Sequence, residues 1–357
     1  MAETYNTLVS LFTDIADAIR EKTGDTDLII ADDFPDVIRE RLKAIPQTTP
    51  YLTFSSPNSF TLKVNDAIKH WDGTLEYSTD ASTWSTWDGT TTLSSATSGS
   101  KNVLYLRGTG NTVITGDSTD YKWVLTGTDI SCIGNIEHLL DYVTVEAGNH
   151  PTMASYCYAY MFYGCTSLTQ APDLPATTLT DYCYNGMFRG CTSLTQAPTF
   201  PATTLASNCY TNMFQGCTNL TQAPALPATT LATNCYGYMF QGCTSLTHVP
   251  ALPATTLAPS CYRYMFQGCT SLTQVPALSA TTLAAYCYYC MFHKCTSLKL
   301  STTQTGEYTV AYRIPITGTG TNAESALSNM FAGTGGTFKG SLKINTTYYL
   351  SNTNAVV

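Results

Sequence analysis

Between Cys157 and Leu298 the chain repeats itself every 26 residues, six times over. Cys157, Cys183, Cys209, Cys235, Cys261 and Cys287 mark one phase, and Cys165, Cys191, Cys217, Cys243, Cys269 and Cys295 mark another. The unit beginning at Cys209 reads CYTNMFQGCTNLTQAPALPATTLATN. Such a period predicts a solenoid, because one unit cannot bury its apolar face alone and must stack on the next. A stack offers a long regular surface rather than a pocket. It is suited to holding a partner, less to reacting with one.

Comparing the six units separates two kinds of position. Met-Phe, both cysteines, the leucine of TSL or TNL and the Ala-Thr-Thr-Leu segment scarcely change. These predict inward side chains stacking on their own copies. Leu-Thr-Gln and Thr-Thr-Leu favour extended backbone, so parallel β pairing is expected, with about 4.8 Å of rise per coil and roughly 25–30 Å of surface in all. Other positions change freely: Tyr160, Asn185, Asn212, Tyr238, Arg263, Tyr264 and Tyr289 lie between Cys-Tyr and Met-Phe, and Tyr163, Arg189 and His293 follow Met-Phe. A packed position could not accept Gly, Arg and Tyr in turn without cavities or strain. These residues are therefore expected to face water as a ligand-binding face, and their composition is that of adaptable binding surfaces.

The flanking segments differ in chemistry. Residues 1–46 hold 15 of the 42 charged side chains. Leu8, Phe12, Ile15 and Ile19 keep helical spacing, as do Ile38 and Leu42 after Pro35. Two short helices with unburied stripes predict an anchoring module that assembles on a partner or on copies of itself. Residues 47–130 alternate apolar and polar, with Asp72-Gly73 and Asp88-Gly89 turns and all four tryptophans. They predict a small antiparallel β-sandwich acting as a spacer. Residues 131–156 and 299–357 are read as caps on the solenoid of 157–298, and Met330-Phe331-Ala-Gly333 echoes the repeat.

The order Leu-Thr-x-x-Pro-x-Leu-Pro-Ala, then x-Met-Phe-x-Gly-Cys-Thr-Ser, resembles the BspA-type leucine-rich repeats of gut and oral bacteria over about 160 residues. Ala-Phe is usual in that family where this chain has Met-Phe. The resemblance implies a leucine-rich-repeat solenoid and a surface-exposed adhesion role. Separately, LVSLFTDIADAIREKTG followed by IIADDFPDVIRERL is similar to the N-terminal segment of structural proteins of tailed bacteriophages. This second resemblance implies a tether to a virion through contacts with other virion proteins.

Charge and motifs narrow the function classes. Charged residues make up 12 % of the chain, with a net charge of −8, which argues against a nucleic-acid partner. No apolar run approaches a membrane span. Glu3 stands where an export signal would carry Lys or Arg, so assembly in a host cytoplasm is expected, with thiols reduced. The cysteines lie eight and eighteen residues apart, unlike zinc knuckles, and pack as small hydrophobes. Cys287, Cys290, His293 and Cys295 have ligand spacing as a string, but the repeat register turns two inward and two outward. No metal or other cofactor is expected. No nucleophile motif, phosphate loop or carboxylate pair marks a catalytic residue. Trp84 and Trp87 are expected on opposite faces of a strand, so at most one could offer a platform to a sugar.

The fold expected is thus multidomain: short α-helices, a β-sandwich, then a capped solenoid of parallel β. The function expected is that of a non-enzymatic head or tail fibre protein on a phage surface, forming a homo-oligomer and adhering to host glycan or protein. A bacterial cell-surface adhesin built from the same repeats is the alternative.

Overall fold

Alternating apolar residues organise residues 51–133 into nine short strands. The computed structural model describes residues 51–357; residues 1–50, and with them Leu8, Phe12, Ile15, Ile19, Ile38 and Leu42, lie outside the described residues. The strands are β1 (Leu52–Ser56), β2 (Thr61–Val64), β3 (Thr74–Ser78), β4 (Ser85–Trp87), β5 (Leu93–Ser94), β6 (Ala96–Ser98), β7 (Lys101–Thr109), β8 (Trp123–Thr126) and β9 (Ile130–Ile133). The larger sheet runs β9-β1-β7-β3-β4, with β6 also on β7, and the smaller runs β5-β2-β8. Every pairing among these nine is antiparallel.

Period-two burial explains the pairing. In β1 and β7, Leu52 lies opposite Leu106 and Phe54 opposite Leu104, all fully buried. Trp71, Trp87 and Trp123 form the aromatic centre, with ring centroids 5.1 and 5.4 Å apart. Trp84 is the exception among the tryptophans. It is half-buried, with the Arg107 guanidinium 4.1 Å from its ring. Arg107 Nε also donates to Glu76 Oε2 at 2.8 Å.

The sheets run directly into the repeats. Trp123 and Phe54 reach Phe162 of the first coil, at 6.3 and 6.1 Å between centroids, so the two cores are continuous. The amides of Ile114, Trp123 and Ile130 donate to the carbonyls of Cys157, Met161 and Ser167. Strand β10 (Leu168–Gln170) joins β9 in parallel, and Asn135 bridges Asp173. The first coil is therefore closed by residues of the sheets as well as by the segment after them. That segment carries the helix α1 (His138–Glu146), the one α-helix among the described residues.

Strand pairing between the repeats is limited, which departs from the expected parallel β-solenoid. Single parallel bridges join Thr204 to Thr230, Gln222 to His248 and Thr256 to Thr282, within the segments expected to be extended. The continuous ladder is made instead by turns. In the first coil the amides of Ala159, Met161, Tyr163 and Cys165 each donate to the carbonyl three residues back. The intervening amides of Tyr158, Tyr160, Phe162 and Gly164 donate across to Cys183, Asn185, Met187 and Arg189 of the next coil, at 2.8–2.9 Å. Alternate amides thus close a turn or bind the next coil, leaving no ladder amide unpaired in a region that is mostly buried.

Every fourth residue of this segment has positive φ. Tyr156, Tyr160 and Gly164 take 60°, 57° and 75°, and the later coils repeat the values. The two residues after each of the first two such positions point inward. Cys157 with Tyr158, and Met161 with Phe162, are fully buried, and their copies build a tyrosine ladder and a phenylalanine ladder. Successive rings stand 5.6–5.8 Å apart, within 10° of parallel.

The far end is closed by a seventh, degenerate coil. Tyr288, Cys290, Phe292 and Lys294 donate to Ala326, Ser328, Met330 and Ala332, and Phe331 packs on Phe292 at 5.1 Å. Around it, β12 (Lys299–Ser301), β13 (Val310–Arg313), β14 (Gly335–Gly336) and β15 (Thr347–Leu350) form a sheet in the order β13-β15-β12-β14. The last strand, β16 (Ala355–Val356), returns to pair in parallel with β11 (Gln274–Val275) of the fifth coil.

Candidate functional site

Turns with two residues in and two out sort the repeat into inward and outward columns. Both cysteine columns point inward, and all fourteen cysteines are free and buried. Desolvation pushes the thiols of Cys183, Cys217, Cys235, Cys287 and Cys295 up to about 12. The second column also makes polar contacts that sequence reasoning did not foresee. The Sγ of Cys191, Cys217, Cys243 and Cys269 each donate at 3.1 Å to the phenylalanine carbonyl of the preceding coil.

The outward columns hold the residues singled out for binding, but they are less exposed than expected. Tyr160, Tyr163, Arg189, Asn212, Tyr238, Arg263, Tyr264, Tyr289 and His293 are half-buried. Asn185, expected to face water, is only 6 % exposed. Its Nδ2 donates to Tyr160 Oη at 3.1 Å. Cys290, read as outward from the register, is 4 % exposed. The cause is the direct hydrogen bonding of coil to coil, which brings outward side chains of successive coils into contact, so each covers part of the next.

Three groups result. Near the start, Tyr163 sits between Lys122 Nζ at 4.8 Å and the Arg189 guanidinium at 5.4 Å. In the middle, a glutamine ladder runs from Gln215 to Gln241 to Gln267, each Nε2 donating to the next Oε1. Gln267 then meets His293 Nδ1 at 2.8 Å. Toward the end, Tyr238 stacks on Tyr264 at 4.7 Å, and Tyr289 meets Tyr264 edge-on at 5.3 Å. The Arg263 guanidinium lies 5.1–5.7 Å from all three rings. Asn212 enters through its backbone, donating to Gly237 at 2.9 Å.

Lys122 lies in the sheet region, where no period points to it. The glutamine ladder was open to inspection, because three glutamines recur in one column. A family model described as the BspA-type leucine-rich repeat region, in six copies, matches residues 152–299 and 224–334. These matches cover the stacked coils and reach the degenerate seventh. The chain belongs to the BspA-type leucine-rich repeat family. No curated protein and no solved structure matches the chain.

Repeats of this type point to a surface adhesion-type repeat protein. Within its repeats only Asp173, Asp181, Arg189, Arg263 and Lys294 ionise strongly between 157 and 298. The outward face is thus made of phenol, amide and guanidinium groups on a hydrogen-bonded frame. Such groups can stack on, donate to and accept from a ligand, and the frame costs little further ordering on binding.

Proposed function

We propose that the chain is a non-enzymatic adhesion protein whose repeats form a solenoid displaying the tyrosine-rich outward columns to a host surface. The observation that carries this reading is the division of labour in each coil. Cys, Tyr, Met and Phe repeat inside, while Tyr160, Asn212, Tyr238 and Tyr264 and their neighbours differ from coil to coil outside. A frame kept uniform under a varied surface is the arrangement repeat proteins use for recognition. The partner is a surface glycan or protein.

The carrier is read from the N-terminal segment. Its similarity to structural proteins of tailed phages supports a virion fibre, held by the stripe of Leu8, Phe12, Ile15, Ile19, Ile38 and Leu42 as a homo-oligomer and assembled in the host cytoplasm. A bacterial cell-surface adhesin is equally compatible with the repeat family. Mass spectrometry of purified virions against surface-shaved cells distinguishes them, and absence from particles removes the virion reading.

The binding face is tested by the triple change Tyr160→Ala, Tyr238→Ala and Tyr264→Ala. Labelled protein is applied to a panel of intact bacterial and epithelial cells. The variant is expected to fold, with a lowered melting temperature from lost ring contacts, and to attach at least tenfold more weakly than wild type. Equal attachment by both proteins overturns the assignment of the face.

A further inference from the structure

We propose that the tyrosine cluster around Arg263 is a subsite for an anionic sugar, one carrying a carboxylate or sulfate on a pyranose ring. This deepens the adhesion reading and rests on it.

Among the described residues two arginines each lie against more than one aromatic ring, and they differ in one respect. Arg107 lies 4.1 Å from the Trp84 ring and 4.5 Å from the Tyr142 ring, and Glu76 satisfies it at 2.8 Å. Its charge is closed within the protein. Arg263 lies among Tyr238, Tyr264 and Tyr289 in much the same way, without a carboxylate. The ion pairs among the described residues are His70–Asp66, Arg107–Glu76, His138–Glu146 and His150–Glu137. Among the described residues the Nε of Arg263 is buried without an acceptor, so an outside anion meets the guanidinium at its other two nitrogens. Beside the cluster, Glu324 accepts from Tyr286 Oη at 2.8 Å, and the Tyr286 ring stands 5.7 Å from Tyr289. A half-buried guanidinium bordered by phenols, and by no carboxylate among the described residues, keeps charge-assisted donors for an outside anion.

The surroundings select the kind of anion. Phenol hydroxyls and glutamine amides line the face, which suits a hydroxyl-dense ligand. Cations are sparse: Lys122 of the sheet region and Arg189 of the second coil flank Tyr163, Arg263 lies three coils beyond Arg189, about 15 Å away at the usual spacing of stacked backbones, and Lys294 follows in the sixth coil. Nucleic acid presents a charge every few ångströms and would meet too few cations here. A polysaccharide with one acidic group per sugar or two matches this spacing. The net charge of the chain is −8, so a cationic node on the outward face is a local departure from the whole.

The full chain is tested by biolayer interferometry against polygalacturonate, heparin, neutral dextran and poly-glutamate. The expected result is salt-sensitive binding to polygalacturonate, heparin or both, with neither dextran nor poly-glutamate retained. Preference between the two anionic polymers tells carboxylate from sulfate. Arg263→Gln is expected to lower the affinity at least tenfold, and Arg263→Lys to restore part of it, at unchanged melting temperature. If Arg263→Gln melts early, Arg263→Lys serves as the folded control, expected to weaken binding less than tenfold while keeping the salt dependence.

Binding to neither anionic polymer, equal binding to dextran, or indifference to Arg263→Gln overturns the proposal. Equal or tighter binding to poly-glutamate overturns it in favour of an acidic protein partner. The adhesion reading fails separately. It falls if the triple tyrosine variant attaches to cells as wild type does, whatever the sugars show, and it stands if cell attachment depends on those tyrosines while no anionic polymer binds.

Discussion

The thiol of Cys217 donates to the carbonyl oxygen of Phe188, one coil earlier, at 3.1 Å. The same carbonyl accepts the amide of Cys191 at 3.1 Å. A buried cysteine read from sequence is a small hydrophobe, yet here the sulfur also ties one coil to the one before. The two roles predict opposite orders of substitution. As a donor, Cys217→Ser should cost less than Cys217→Ala, which loses the bond and leaves a cavity worth about 1–2 kcal/mol. If the thiol serves by volume alone, the serine variant is the worse, because it brings a more polar group into the core. Urea denaturation midpoints of the two variants decide it.

Glycine occupies the last positive-φ position of the turn ladder in the first five coils, at 74–75°, and in the seventh, at 74°. Lys294 fills that place in the sixth coil at 62°. A side chain in this conformation costs about 1–2 kcal/mol, of which glycine's freedom in the unfolded chain takes back roughly half. Lys294→Gly is expected to stabilise the protein by about 0.5–1 kcal/mol, read as a raised denaturation midpoint. A lowered midpoint would show that the lysine stem, packed near Gly333 of the seventh coil, contributes more than the backbone strain removes.

The same ladder marks where sequence reasoning succeeds and where it stops. Cys209, Met213, Phe214 and Leu220 read as inward because every coil buries the same atoms against the same neighbours. The backbone that achieves this was harder to see. Positive φ falls every fourth residue on Tyr156, Tyr160, Asn208, Asn212 and Ser260 as well as on glycines, and tyrosine carries no conformational signature. The usable hint was negative: no β-branched residue occurs at these positions in any coil. Asn185 varies from coil to coil and is still buried, because stacked neighbours cover one another. The closing role of Ile114 and Trp123 is tertiary, and nothing periodic in residues 110–125 announces it.

Alkaline pH should unfold the repeats cooperatively. An ordinary thiol ionises near 9, but burial holds Cys183, Cys217, Cys235, Cys287 and Cys295 up to about 12. Between those values the unfolded chain releases protons that the folded chain retains. Each such thiol therefore contributes stability that is present below 9 and lost as pH rises toward 12. The loss is on the order of 1 kcal/mol per thiol for each pH unit above 9. Summed over five such thiols it becomes a sizeable part of the whole stability of many domains. Circular dichroism is expected to show a sharp transition between pH 9 and 10.5, with the thiols becoming reactive to a disulfide reagent in the same step. Thiol reactivity that precedes unfolding would show that the columns open to solvent coil by coil.

Tyr160 reaches its place on the outward face only because Gly186 lacks a side chain. A Cβ there would stand 2.7 Å from both Cδ1 and Cε1 of the Tyr160 ring, and the residue sits at φ 58°. Gly186→Ala therefore brings two separable penalties. The backbone part, about 1–2 kcal/mol, remains whatever the neighbour is. The steric part vanishes when the ring is removed, and with it goes the bond from Asn185 Nδ2 to Tyr160 Oη. In a double-mutant cycle, Gly186→Ala should cost at least 0.5 kcal/mol less in a Tyr160→Ala background than in wild type, roughly the scale of coupling between touching residues. Strict additivity would mean that the ring swings clear at no cost. The face would then be held by the coils alone, and not by the fit of one outward side chain against the next.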